Sequence, residues 1–150
     1  VECGGKRVEN CLKRHAFKFS VWYFHILCIN SDLKVEVWKE ARKLTVEIYT
    51  LTGKFPDGEK FGLTNQLRRA SVSVAANIVE GSTRPSAKEQ AHFSSIAYGS
   101  LMAVMSHLIV SVDLDFITEG ELFRLRNIIQ PLSLKINNLR NTQIRRVEKG

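Results

Sequence analysis

The sequence predicts an all-α fold, an up-down-up-down antiparallel four-helix bundle preceded by an N-terminal extension. Three observations carry this. From Asp32 onward, apolar residues recur at three- and four-residue spacing over four long segments. Capping residues and Gly or Pro breaks separate those segments, and no run there alternates apolar and polar residues at strand period. The connections are short, which favours antiparallel neighbours. A chain of 150 residues has room for one domain with a real core.

Residues 1–31 read as a poorly ordered extension. Val21 to Ile29 is an apolar run behind a basic stretch, too short to span a bilayer and followed by no small-residue cleavage site, so a strand or a disordered tail is expected there. The first helix is predicted over 33–51, with Asp32 as N-cap and Val37, Ala41, Leu44, Ile48 and Leu51 facing the core. Gly53 and Pro56 stop it. The second helix covers 63–80 with Leu63, Leu67, Ala70, Val74 and Ile78 inward, and Gly81 reads as a left-handed C-cap.

Ser86 to Glu89 has capping-box spacing and opens the third helix, whose inner face is Phe93, Ile96, Ala97, Leu101, Val104 and Leu108. Thr118 to Glu121 repeats that logic and opens the fourth, through Leu122, Leu125, Ile129, Leu132, Ile136 and Leu139. Pro131 removes one helical hydrogen bond and predicts a kink near Ile128. The bundle is thus expected over 32–143, with a basic tail over 144–150 that frays.

Hydrophobic content of 44% and charged content of 25% are those of an ordinary globular chain. The balance of charge is not ordinary: 22 Lys and Arg face 15 Asp and Glu, a net charge of +7 that favours polyanionic partners. The surplus is distributed, +2 over residues 1–32 and +5 over residues 33–150. Cys3, Cys11 and Cys28 all precede the bundle and have no metal-ligand or redox spacing, which fits a reducing compartment. His15, His25, His92 and His107 are scattered, so no metal and no cofactor is expected.

The second helix also carries a polar line, Arg69, Ser73, Asn77 and Glu80, beside its apolar stripe. Ser and Asn are indifferent helix formers, so this spacing points to a structural cluster that sets register between helices or subunits. Arg69 is expected to pair with Glu80 or another carboxylate. Arg68 lies about 100° away around the helix and is a candidate for phosphate contact, or else solvated. Glu80 has no second carboxylate, histidine or nucleophile at helical spacing, so no catalytic role is assigned. Gly99 and Ser100 sit mid-helix, where Gly costs about 1 kcal/mol, and suggest close helix packing at an intrachain crossing or a subunit seam. Arg68, Arg84, Lys88, Arg140, Arg145 and Arg146 are the candidate nucleic-acid contacts. Neither a P-loop nor an aromatic RNA-recognition motif is present.

Certain residues resemble a known family. They are Val37-Trp38, Ile48-Tyr49, Phe55-Pro56, Gly62-Leu63-Thr64, Gln66 to Ala70, Ser73-Val74, Asn77-Ile78, Glu80-Gly81, Arg84, Glu89, Phe93, Ala97 and Gly99-Ser100-Leu101. Together they resemble the bacterial four-helix-bundle proteins encoded in intervening sequences of 23S rRNA genes, over about Asp32 to Leu139. The family includes accessory proteins of diversity-generating retroelements, pentameric rings that bind a reverse transcriptase and nucleic acid. The resemblance therefore implies a cytoplasmic, non-enzymatic homo-oligomer, a pentamer, partnered by RNA or DNA, or by a reverse transcriptase or another nucleic-acid-processing protein, with no membrane association. A structural interaction module without a nucleic-acid role is the alternative. Ala103 departs from the acidic residue usual at that position in the family, and residues 1–30 have no counterpart.

Overall fold

The computed structural model describes residues 32–149, so the predicted extension over 1–31, with its three cysteines, His15 and His25, lies outside the described residues. Four helices follow in order: α1 (Asp32–Thr52), α2 (Leu63–Ser82), α3 (Ala87–Asp113) and α4 (Glu119–Glu148). A 3-10 turn, Asp57–Lys60, lies between α1 and α2. Each helix packs against its sequence neighbours, and α4 returns against α1, which closes an antiparallel four-helix bundle.

The core is the meeting of four stripes. Val37, Ala41, Leu44, Ile48 and Leu51 of α1 face Leu67, Val74 and Ile78 of α2, Ala97, Leu101, Val104 and Leu108 of α3, and Leu125, Ile129, Leu132 and Ile136 of α4. Leu63 and Ala70 are partly buried at its margin. Ile96 is the exception among the predicted core residues, 38% exposed, because it lies one residue off the line through Ala97 and is turned away from the axis.

The closing seam between α1 and α4 is laced by charge. Glu40 and Glu47 of α1 and Lys54 just beyond its end, at seven-residue spacing, pair with Lys135, Arg124 and Glu121 of α4, which runs the opposite way. The Arg124–Glu47 distance is 2.6 Å and the Lys54–Glu121 distance 3.4 Å. All of these groups are substantially exposed, so they set register more than they add stability.

The helix ends show which local expectations hold. At Thr118 the capping box is complete: its hydroxyl accepts from Glu121 N at 3.2 Å, and Glu121 Oε2 accepts from Thr118 N at 3.0 Å. Ser86 caps α3, accepting from Glu89 N at 3.2 Å, while the Glu89 carboxylate accepts from the Ser86 hydroxyl at 2.6 Å. Asp32 is a helical residue rather than a preceding cap.

The left-handed C-cap appears at the end of α3 instead of α2. Asp115 has φ 57°, Asp115 N donates to Val112 O at 2.9 Å and Phe116 N to Ser111 O at 2.9 Å, the paired bonds of a Schellman motif. Phe116 then reaches back to Phe55, ring centres 5.5 Å apart, and ties this connection to the one between α1 and α2.

Gly81 is helical and buried, and α2 ends at Thr83 in a right-handed conformation. A Cβ on Gly81 would stand 2.8 Å from Phe93 Cβ. Its absent side chain therefore serves a close α2–α3 approach. Gly99 is the reverse case: it is exposed, and a Cβ there would meet nothing within 4 Å, so no helix crossing among the described residues uses it.

Pro131 lies within the continuous helix α4, exposed on its outer face. The segment expected to fray is helical to Glu148, because the α4 stripe continues through buried Leu139 to Gln143, whose Oε1 accepts from Ser94 Oγ at 2.8 Å.

Substitutions at these backbone positions should separate by sign. Gly81→Ala should lose about 1–3 kcal/mol of stability through overpacking, whereas Gly99→Ala should gain up to about 1 kcal/mol, both read by urea denaturation. Asp115→Gly relieves the left-handed cost and should gain roughly 1 kcal/mol in the same assay. The backbone bond from Thr118 chiefly holds the Glu121 carboxyl below its ordinary value, with help from Lys54. That contribution is present above the ordinary value of 4.5 and lost as pH falls through the lower folded value, so the acid decline of stability should be shallower in Glu121→Gln.

Candidate nucleic-acid interface

Antiparallel packing brings the N-termini of α1 and α3 and the C-termini of α2 and α4 to one end of the bundle. Direct contacts tie them together. Lys34 Nζ donates to Gln90 Oε1 at 3.4 Å, Gln90 Nε2 donates to Arg84 O at 2.8 Å, and Ser94 donates to Gln143 at 2.8 Å. Lys34, Arg84, Lys88, Arg140, Arg145, Arg146 and Lys149 all belong to this end. The carboxylates at this end are Asp32, Glu36, Glu80, Glu89 and Glu148, five against seven cations, so the end carries a cationic surplus.

The opposite end is different. There Glu47, Asp57, Glu59, Asp113, Asp115, Glu119 and Glu121 offset Lys54, Lys60, Arg68, Arg69, Arg124 and Arg126.

Lys34 is the most constrained of these cations. It falls on the core stripe of α1, one turn before Val37, and only 8% of it is exposed. Burial first, and then the positive charge of Arg146, holds its ammonium below the ordinary lysine range. Lys34 was not among the predicted contacts, although its three-residue spacing to Val37 placed it on the inner face.

Three of the six predicted contacts are engaged within the chain. Arg68 donates from Nε to Thr52 Oγ1 at 2.9 Å and lies over the Tyr49 ring at 4.8 Å, pinning α2 to α1. Arg84 pairs with Glu80 and lies over Phe93 at 4.7 Å. Arg140 donates to Asn137 Oδ1 at 2.7 Å and lies over Tyr98 at 5.5 Å, pinning α4 to α3. The buried Nε atoms of Arg84 and Arg140 have no hydrogen-bond partner among the described residues, and the ring faces stabilise those delocalised cations instead. Lys88, Arg145 and Arg146 are exposed and enter no ion pair among the described residues.

The polar line on α2 divides. Ser73 Oγ lies 2.9 Å from Ser100 Oγ, and Asn77 Nδ2 donates to Ser73 O at 2.7 Å and to Ser73 Oγ at 3.0 Å. These three residues form one network between α2 and α3. Arg69 and Glu80 are not joined: they are three helical turns apart, roughly 16 Å at about 1.5 Å per residue. Glu80 is taken by Arg84, four residues on, and Arg69 is exposed without an ion pair among the described residues.

No group of three or more His, Cys, Asp or Glu side chains converges among the described residues. What the geometry offers is a field of fixed and free cations at one end.

A family model described as 23S rRNA-intervening sequence protein matches residues 33–138, and the chain belongs to that family. No curated protein matches it.

The division between anchored and free arginines is measurable. Arg140→Ala should lower unfolding free energy by about 1–2 kcal/mol, because the ring stacking and the hydrogen bond both go, while Arg145→Ala should stay within about 0.5 kcal/mol of the parent. Equal losses in denaturant melts would contradict this division.

Proposed function

We propose that this member of the 23S rRNA-intervening sequence protein family is a non-enzymatic, oligomeric nucleic-acid-binding bundle, cytoplasmic and pentameric as the resemblance implies. RNA, or a nucleic-acid-processing partner such as a reverse transcriptase, is the class of ligand. The observation that supports this reading best is the cationic surplus at the end built from Lys34, Arg84, Lys88, Arg140, Arg145 and Arg146. Phosphate neutralisation needs cations that are positioned but not already neutralised, and Lys88, Arg145 and Arg146 meet that condition. Lys34 adds positive potential from beneath. In an oligomer each such end is repeated, so modest charge per subunit becomes a multivalent surface.

A protein-interaction module without a nucleic-acid role is the second reading. Outward-facing Ile96, Met102, Ile109 and Val110 on α3 favour it, since they leave an apolar helix face in solvent.

Fluorescence-anisotropy titration of a structured RNA tests the first reading. Lys88→Glu with Arg146→Glu should weaken binding at least tenfold and flatten the dependence of log K on log salt by about 0.7–0.9 for each phosphate no longer neutralised. Lys54→Glu with Lys60→Glu, at the opposite end, should leave binding within twofold. Equal effects of the two pairs would reduce binding to net charge. No binding at physiological salt would favour the protein-interaction reading.

A further inference from the structure

At the cationic end the buried stripes of α1, α3 and α4 include polar residues. They are Lys34, one turn before Val37, Ser94, one turn before Ala97, and Gln143, one turn after Leu139, with only 8%, 4% and 2% of each exposed. Ser94 and Gln143 satisfy each other through the 2.8 Å hydrogen bond between them. Lys34 is not satisfied in that way. Its ammonium has three donors, and its one hydrogen bond among the described residues is the 3.4 Å contact with Gln90 Oε1, an oxygen oriented by the bond from Gln90 Nε2 to Arg84 O. No carboxylate pairs with Lys34 among the described residues, and the charge that presses on it is the positive one of Arg146.

Burying an ammonium without a counter-ion is costly, and an anion brought against it removes that cost. Which anion is set by depth. Exposed Lys88, Arg145 and Arg146 can meet the phosphodiesters of a backbone lying across this end. Lys34 is sunk below them, and a phosphodiester, joined to sugar on both sides, is kept from that depth by its own chain. A phosphate monoester projects from the end of a strand on a single link. It carries about −1.5 to −2 charge at neutral pH and offers three acceptor oxygens.

We propose that Lys34, with Gln90 beside it and Arg146 at the rim, forms a subsite for a phosphate monoester at the end of an RNA strand. The monoester oxygens take up the open donors of the ammonium, and the Arg146 guanidinium adds a forked pair of donors. This rests on the nucleic-acid reading above and makes Lys34 the residue that selects strand ends over internal backbone.

Fluorescence anisotropy on the full chain tests the subsite, with one short RNA sequence carrying a 5′-phosphate, a 3′-phosphate or hydroxyls at both ends, and circular dichroism to verify folding. The parent should bind one or both phosphorylated forms at least tenfold more tightly than the hydroxyl form. In Lys34→Met, and in Lys34→Gln as a second variant, that ratio should fall to within twofold of unity. Lys88→Ala should weaken all forms alike and keep the ratio. Equal binding of the three forms by the parent, or a preference that survives both Lys34 variants, would overturn the subsite while leaving the nucleic-acid reading standing. If no RNA binds, that reading itself fails, and thermal melts in inorganic phosphate decide the subsite. A stabilisation over chloride of equal ionic strength that is larger in the parent than in Lys34→Met would support it, and equal shifts in the two would overturn it.

Discussion

Four apolar stripes share one axis, and the short connections between their helices make successive helices alternate in direction, a constraint that organises everything else in the molecule. The stripes through Leu44, Val74, Leu101 and Leu132 bury side chains that could not be satisfied on any single helix. Once they meet, the ends of the chain's segments are no longer free to choose their neighbours. The start of α1, the end of α2, the start of α3 and the end of α4 must lie together. Residues far apart in sequence, Lys34, Arg84, Lys88 and Arg146, thereby become one surface.

The cations on that surface are not equivalent, and the difference lies in what holds each side chain. A guanidinium laid on a ring and tied to a neighbouring oxygen, as at Arg68, Arg84 and Arg140, has given up its rotamer freedom to fix helix against helix. It still contributes field, though few donors remain for a ligand. Lys88, Arg145 and Arg146 keep both charge and freedom. The same division separates the three ion pairs of the α1–α4 seam, which hold register, from Asp113 and Glu119, which face an open groove.

The bundle itself was legible in the sequence because hydrophobic period and capping chemistry are local. The four stripes, the caps at Ser86 and Thr118 and the antiparallel order all follow from residues within a few turns of one another. Interactions between helices were not legible. Gly81 looked like a terminator because its contact, Phe93, belongs to the next helix. Gly99 looked like a packing residue because only three dimensions reveal the open space outside it. The C-terminal segment stays helical through Gln143, and that polar residue on the core stripe was a readable sign once Ser94 is seen to occupy the matching position on α3. Within the candidate site, Arg69 and Glu80 shared a helix face, yet axial distance kept them apart and gave Glu80 to Arg84.

On the proposed nucleic-acid-binding reading, function is a matter of which end is presented, and hydrogen exchange read by mass spectrometry locates it most directly. With a structured RNA added at physiological salt, amides in residues 80–94 and 140–149 should gain protection, while those in residues 53–66 and 109–123 should not. Protection confined to the second set, or spread evenly over all four helices, would contradict the assignment of nucleic-acid binding to the cationic end.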